Sequence, residues 1–191
     1  VQTRKQVETF VNTDWNLDWC YIRHPKKENY QLMEDSVTLK GSSITLDEPK
    51  NPTFIGIRQK DFDMKWSCKV TTEAEIAGIT VIMDENHHYD IALERNGEEI
   101  NAILKLNIGD VKSVEKRIPA ENGSTLVVES EAQWYSFYIL KGDEKVLLGK
   151  AQSRYLSSEV ATGFTGVLLG CYVVDDAGKE AVFTEFTCKY C

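Results

Sequence analysis

The clearest pattern in the chain is a strict alternation of apolar and polar residues over positions 62–70. Successive side chains of a β-strand point to opposite faces of a sheet, so a period of two predicts a strand with one face turned to a core. We therefore predict a half-buried strand here. Its apolar positions are Phe62, Met64, Trp66, Cys68 and Val70.

Similar strand patterns recur along the rest of the chain, and no segment keeps the 3.6-residue period of an amphipathic helix over three turns. Polar turns separate them. The pair Asn96-Gly97 predicts a tight hairpin turn, because both residues tolerate positive φ. One predicted strand has Tyr89, Ile91 and Leu93 in phase. The others are 79–83, 100–106, 111–117, 125–129, 134–140, 146–148, 164–174 and 181–190.

About a dozen short antiparallel strands joined by polar turns predict an all-β protein. Two sheets stacked face to face would close one core and leave each outer face in water. We therefore predict a two-sheet antiparallel β-sandwich of the jelly-roll type, although periodicity alone leaves other sandwiches open. Residues 1–14 are interpreted as a lead-in, in keeping with a former interdomain linker, and residues 15–191 as one domain.

Composition and charge exclude several partners. The 191 residues are 42% apolar and 27% charged, which is typical of a globular domain, and no run approaches the ~20 apolar residues of a membrane-spanning helix. The net charge of -8 repels phosphate backbones, so we expect no nucleic acid as a partner, and the lack of a long apolar run predicts no membrane partner. Neutral sugars and protein surfaces remain compatible with this charge.

The cysteines favour a reducing compartment, and we expect a cytoplasmic protein. Their number is odd, and Cys68 falls on the apolar face of its strand. Cys188 and Cys191 have the spacing of half a zinc site or of a redox pair, but they lie at the very terminus and no second pair of ligands accompanies them, so we predict neither metal nor cofactor. The chain opens at Val1 without a signal segment or methionine, which suggests that it was cut from something longer.

No pair of carboxylates has the pattern that glycosidic hydrolysis requires. Such a reaction usually needs two carboxyl groups facing each other across the sugar. Asp61 with Asp63, and Glu129 with Glu131, share a strand face, but pairs on a polar stripe are usually solvated charges. We predict no catalytic residue in this chain.

Glycines around Phe164 mark a candidate contact site. Gly163 and Gly166 bracket this residue, and Phe164, Gly166, Leu168, Gly170 and Tyr172 share one strand face. A glycine without side-chain bulk lets a ligand or another backbone come close, although a core phenylalanine at a bend fits the same spacing. Both interpretations stay open on spacing alone.

Charged and aromatic residues supply further candidates. Arg58 and Gln59 precede the 62–70 strand, where a guanidinium group could bond carbonyls or carboxylates across a domain seam or could contact sugar directly. His87 and His88 are adjacent. On a strand their side chains would face opposite ways and could not hold one metal together, so we expect the two histidines to lie at the entry to a turn.

The densest aromatic group is Trp134, Tyr135, Phe137 and Tyr138. One alternating pair of these rings should be core. The other could stack on sugar rings or dock a neighbouring domain. Trp134 and Tyr135 are our candidates for sugar stacking.

Four stretches in order resemble the C-terminal sandwich of family 43 glycoside hydrolases, the β-xylosidases and α-arabinofuranosidases. The stretches are Trp19, Arg23 and Pro25; Phe54, Gly56, Arg58, Gln59 and Phe62; Ala77 and Gly78 through Asn86, His87, His88 and Tyr89 to Ile91; and Gly163, Phe164, Thr165 and Gly166 with Gly170 and Tyr172. Together they span most of the chain.

The resemblance implies a concanavalin A-like fold and an accessory role beside a catalytic five-bladed propeller. In the family, the propeller carries the acidic catalytic residues for xylan and arabinoxylan oligosaccharides. A phenylalanine of the sandwich narrows its pocket, and carried over by position this residue is Phe164, with Gly163 and Thr165 beside it. Arg58 and Gln59 would have a structural or interface role.

The chain departs from the family pattern near its last strand. Residues 181–186 lack both aspartates of the family's acidic stretch, so we expect no calcium site there. Two other hypotheses compete with the accessory domain. One is a free-standing carbohydrate-binding module that uses exposed aromatic residues. The other is an autonomous sandwich hydrolase, which the missing carboxylate pattern disfavours.

Overall fold

This computed structural model describes residues 7–9, 18–157 and 166–190. These residues contain fifteen β-strands and two short 3₁₀ helices, Lys27–Asn29 and Ser153–Leu156. The strands are β1 Val7–Thr9, β2 Trp19–Cys20, β3 Tyr30–Leu32, β4 Ser36–Lys40, β5 Thr53–Arg58, β6 Met64–Thr72, β7 Ile76–Asp84, β8 His87–Asn96, β9 Glu99–Ile108, β10 Val111–Pro119, β11 Ser124–Glu131, β12 Trp134–Lys141, β13 Glu144–Gln152, β14 Leu168–Val174 and β15 Glu180–Tyr190.

The strands form two antiparallel sheets, which confirms the predicted all-β sandwich. One sheet has eight strands in the order β13-β12-β11-β6-β15-β4-β3, with β1 pairing off this path to β15. The other has seven strands in the order β10-β9-β8-β7-β14-β5-β2. In the part of the chain described, no helix is long and apolar enough to cross a bilayer.

The main core lies between the two sheets, and β6 shows how the alternation builds it. Burial alternates along this strand, with Met64, Trp66, Cys68 and Val70 turned inward. Burying each large apolar side chain stabilises the fold by roughly 1.5–3 kcal/mol. The prediction was wrong for Phe62, which is 70% exposed. Its N–H donates to the carboxylate of Asp61, and the chain bends there before the strand begins.

A second apolar cluster lies on the outer face of the seven-stranded sheet. Residues 41–52, which we call the strap, bring Leu46 against Phe54, Ile82, Ala92 and Tyr172. The central strands β7 and β8 are therefore buried on both faces, as their nearly continuous burial shows. The continuous apolar run at 79–83 follows from this double burial.

The β8–β9 hairpin is confirmed, but its turn is shifted by one residue. Asn96 pairs with Glu99, so Gly97 and Glu98 are the two loop residues. Gly97 has φ +62°, whereas φ of Glu98 is not positive. Positive φ at the first loop position only is the pattern of a type II′ turn, which favours glycine there.

Candidate docking and binding surface

The described site residues lie at one end of the sandwich, where β5, β12, β13 and β14 meet. Arg58 is the last residue of β5, and Gln59 follows it. Gly163, Phe164 and Thr165 lie outside the described residues, so their placement stays a prediction. The segment that contains them connects Ser157 to Gly166.

Gln59 connects several elements at this end. Its Oε1 accepts a hydrogen bond from Tyr135 Oη at 2.7 Å, and its Nε2 donates to the backbone O of Asp61 at 2.8 Å. Its backbone N–H donates to Val167 O at 2.9 Å. These bonds engage both ends of the side-chain amide, so Gln59 positions its neighbours and has little capacity left to bind a ligand.

The structure corrects the proposal that Tyr135 stacks on sugar. Its side chain is only 3% exposed, and its ring centroid lies 6.1 Å from that of Tyr89 in the core. The alternation along β12 turns Tyr135 and Phe137 inward and Trp134 and Tyr138 outward. Burial raises the pKa of Tyr135, so its hydroxyl stays a donor to Gln59.

Arg58 is exposed at the end of β5, where it pairs with Leu168 of β14. Its Nη1 lies 3.6 Å from the position that a Cβ on Gly166 would occupy, and Gly166 has φ +73°. The guanidinium group thus lies at the point where the chain enters β14. A role of Arg58 at an interface stays a prediction.

An open cleft of about 630 Å³ lies between the turn after β5 and the Ser153–Leu156 helix. Its lining includes Gln59, Phe62, Tyr135, Leu156, Ser157 and Val167. The ring of Phe62 protrudes at its rim. A large exposed aromatic ring beside a partly apolar cleft is typical of an interaction surface. The alternating pattern concealed this feature, because it assigned Phe62 to the core.

A smaller pocket of about 350 Å³ adjoins the cleft and surrounds Trp134. The two depressions share Ala132, Ser153 and Arg154. Trp134 is 39% exposed, and it is the direct cross-strand partner of Gln152 on β13. Of the two predicted stacking rings, Trp134 therefore remains accessible.

A buried ion network fastens the strap to the seven-stranded sheet. His88 is fully buried, with Nδ1 at 2.9 Å from both carboxylate oxygens of Asp90 and Nε2 at 2.9 Å from Asp47 Oδ1. Asp47 also accepts hydrogen bonds from Lys105 Nζ at 2.5 Å and Asn107 Nδ2 at 2.8 Å. Burial lowers the pKa of His88, but the carboxylates of Asp90 and Asp47 outweigh it and raise the pKa to about 9.

This network is structural, and sequence reasoning missed it. His87 and His88 are the first two residues of β8 and do not form a turn, which corrects the expected turn entry. His87 Nδ1 lies 2.9 Å from Asp84 Oδ1, so the two rings have separate partners. Residues 18–157 and 166–190 contain no group of His, Cys, Asp or Glu side chains placed to hold a metal ion.

The carboxylates that were considered as possible catalytic pairs for glycosidic hydrolysis lie at the surface. Asp61 and Asp63 are exposed. Glu129 Oε1 accepts a hydrogen bond from Lys145 Nζ at 2.8 Å and lies 3.5 Å from Lys65 Nζ. These ion pairs hold the pKa of Glu129 below its ordinary value against the opposing effect of burial. A carboxylate held in its charged form is a poor general acid.

The space above Gly170 is filled by the protein itself. A Cβ on Gly170 would stand 2.0 and 2.2 Å from ring atoms of Phe54 on the neighbouring strand β5. Leu168, Gly170 and Tyr172 do share a face, as predicted, but that face is covered from outside. The glycine therefore admits a core ring from the adjacent strand, and no ligand reaches this position.

Comparison with known proteins agrees with this architecture. A family model described as the β-xylosidase C-terminal concanavalin A-like domain matches residues 7–189. A curated relative from Bacteroides ovatus, named non-reducing end α-L-arabinofuranosidase BoGH43B, is 36% identical over 174 residues, which are 86% of this chain and 33% of the relative. A xylosidase/arabinosidase from Butyrivibrio fibrisolvens is 25% identical over 97% of this chain and 37% of its own length.

A solved structure, the Bacteroides ovatus xyloglucan PUL GH43B, superposes on the whole chain with a TM-score of 0.84 and 29% identity. The match covers 40% of that protein. This chain thus spans between a third and two fifths of the length of these three relatives.

Proposed function

This chain belongs to the family of β-xylosidase C-terminal concanavalin A-like domains, and from that premise we propose that it is the accessory sandwich of a family 43 glycoside hydrolase. The catalytic propeller of that enzyme would carry the acidic residues. The whole enzyme would remove terminal xylose or arabinose units from xylan and arabinoxylan oligosaccharides. The partial coverage of the relatives supports this division of labour.

The open end of the sandwich is the proposed docking surface for the propeller. The observation that carries this proposal is that Ser157 and Val167 both line the cleft beside the exposed ring of Phe62. The segment that carries Gly163, Phe164 and Thr165 therefore starts and ends at the rim of this cleft. Phe164 would extend from this rim and narrow the substrate pocket of the propeller, with Arg58 at the seam.

The test is the polypeptide that the coding region specifies around these 191 residues. We expect a catalytic propeller upstream. The purified 191-residue chain should not hydrolyse 4-nitrophenyl β-D-xylopyranoside or α-L-arabinofuranoside, whereas the whole polypeptide should. In the whole polypeptide, Phe164→Ala should raise KM by roughly tenfold, about 1.4 kcal/mol of binding.

Phe62→Asp should destabilise the whole polypeptide but leave the 191-residue chain unchanged, because the ring is exposed in the chain alone. Leu147→Asp is the matched control, since Leu147 is 45% exposed on β13 outside the cleft and the adjoining pocket. Turnover by the pure chain, or a coding region without a catalytic propeller upstream of these residues, would contradict the proposal.

A free-standing carbohydrate-binding module is the second candidate function. The exposed Trp134 beside a small pocket favours it. The burial of Tyr135 removes one of the two rings on which that hypothesis was based. Sugar binding by the chain without any catalytic domain in its coding region would favour this candidate.

A further inference from the structure

The pocket around Trp134 has the chemistry of a sugar-binding site. Its lining combines one exposed indole ring with planar polar side chains, those of Gln133, Gln152 and Arg154. Sugar rings present apolar C–H faces, which stack on aromatic rings, and hydroxyl groups, which bond amides and guanidinium groups. Small-molecule sites commonly combine an apolar surface with a few placed polar groups.

Gln152 adds an unsatisfied acceptor to this pocket. Its Oε1 is shielded from solvent, and no donor reaches it from any residue that the structure describes. A sheltered acceptor without a partner is destabilising, because it loses its hydrogen bonds to water and gains none in return. A sugar hydroxyl bound beside Trp134 would satisfy it once the side chains that shield this oxygen move aside.

The walls of the pocket are held in place before any ligand arrives. Ser153 N–H donates to Gln133 O at 3.0 Å, and Ser153 Oγ donates to Ala132 O at 3.0 Å. Tyr89 Oη donates to Gln152 O at 2.8 Å from the core. These bonds lock the β11–β12 turn against the end of β13, so binding would require little ordering of the backbone.

Charge and size narrow the class of ligand. Among the described residues that line the pocket, Arg154 is the one with a charged side chain, and its Nη2 donates to Tyr155 Oη at 2.9 Å. Arg154 keeps its other N–H donors for the hydroxyl groups of a neutral ligand, whereas an apolar segment would leave Gln152 Oε1 without a donor. A pocket of about 350 Å³ suits a monosaccharide or disaccharide unit.

We propose that Trp134, Gln152 and Arg154 form a subsite for neutral oligosaccharides that contain xylose or arabinose. The choice of sugar rests on the proposed function. The subsite shares Ala132, Ser153 and Arg154 with the docking cleft, so a sugar chain held there would extend toward the pocket of the docked propeller. The indole supplies the stacking surface, and Gln152 Oε1 accepts from a sugar hydroxyl.

The experiment is a titration of the 191-residue chain with xylohexaose and with an arabinose-substituted xylo-oligosaccharide. Binding is followed by calorimetry and by the indole N–H resonances. We expect saturable binding. The indole N–H resonance of Trp134 should shift, and that of buried Trp66 should not change. Trp134→Ala should weaken binding at least roughly tenfold, and Gln152→Leu should weaken it severalfold. Leu147→Ala, an exposed site elsewhere on β13, should bind like the parent chain.

Three outcomes would overturn the subsite. One is the absence of saturable binding for either oligosaccharide when the chain is folded by circular dichroism. A second is binding that Trp134→Ala leaves intact. A third is Trp134→Ala destabilising the whole polypeptide without sugar, which would make the pocket part of the docking surface. Activity of the whole polypeptide reports on the proposed function separately, so a failure of one is distinguishable from a failure of the other.

Discussion

Gln59 holds together the open end of the sandwich through its side chain and its backbone. It bonds Tyr135 on β12, the turn at Asp61 and the chain entering β14 at Val167. Both the open cleft and the two ends of the segment that connects Ser157 to Gly166 depend on these positions. Gln59 is therefore a positioning residue in the proposed function.

Tyr135→Phe should destabilise the chain by about 1 kcal/mol, because it removes the donor to a partly buried amide oxygen and leaves the packing unchanged. Urea unfolding followed by circular dichroism measures this difference. Tyr138→Phe on the outward face of the same strand is the matched control, and we expect its effect to be within about 0.5 kcal/mol. Equal effects of the two variants would argue against the role assigned to Gln59.

His88 makes stability depend on pH in a defined direction. Its pKa in the folded chain is about 9, against an ordinary value of 6.5. A raised pKa means that the stabilisation is complete below pH 6.5 and is lost as the pH rises through 9. Asp47 behaves in the opposite sense. Burial raises its pKa, but His88 and Lys105 together hold it below 3.8, so its contribution is lost only in acid.

We expect the free energy of unfolding to fall by about 2 kcal/mol between pH 7 and pH 9 because His88 loses its proton. Urea titrations across this range measure the slope. His88→Asn should be less stable at pH 7 by about 3 kcal/mol, since it leaves the buried carboxylate of Asp90 without its cation, and should lack the slope. His87→Asn should keep the slope, and its disappearance in that variant would contradict the assignment.

Strands β5 and β14 fit together through one ring and one glycine. Phe54 of β5 lies over Gly170 of β14, and the Cα partner of Gly170 on β5 is Gly56, which also has Phe54 ring atoms close by. Glycine is required at position 170 because the ring occupies the space where a Cβ would stand. The outer cluster beneath the strap depends on this fit.

Gly170→Ala should destabilise the chain by about 2–3 kcal/mol, since the new methyl group overlaps the Phe54 ring and the sheet cannot move apart. Gly149→Ala is the matched control, because the nearest atom to its Cβ is the end of a flexible side chain, Leu104 Cδ2 at 2.6 Å. We expect a smaller loss there. Phe54→Leu combined with Gly170→Ala should recover part of the loss, and strict additivity in this double-mutant cycle would show that the two residues do not interact.

The two sheets place edge strands β10 and β13 next to each other along one side of the molecule. Val111 and Val114 are exposed on β10, and Leu147 is exposed on β13. Such an edge invites pairing with a second copy. A bulge protects β10, because Val114 and Lys116 pair with consecutive residues of β9 and leave Glu115 unmatched.

Deletion of Glu115 should convert β10 into a regular edge strand and cause the chain to self-associate. Light scattering during size-exclusion chromatography should show mass that rises with concentration, whereas the parent chain should elute at constant mass. Glu115→Gln keeps the bulge and changes only the charge, so it should elute like the parent. Self-association in that variant would attribute the effect to charge instead of backbone geometry.

Periodicity determined much of this protein, because the direction of a strand side chain depends only on the local backbone. The inward face of β6 from Met64 onward, the alternation along β12 and the hairpin near Gly97 all follow from it. The ordered motifs likewise indicated the family that the comparisons show. Where a bend interrupts the strand, as at Phe62, the same rule fails.

Tertiary structure decided the features that need partners distant in sequence. Met64 pairs with Tyr190, Gln59 bonds Tyr135, and His88 bonds Asp47 in the strap. The alternation of one segment carries no information about which distant segment packs on it. For this reason the burial of Tyr135, the ring over Gly170 and the joined cleft and pocket appeared only when the sheets were stacked and their ends brought together.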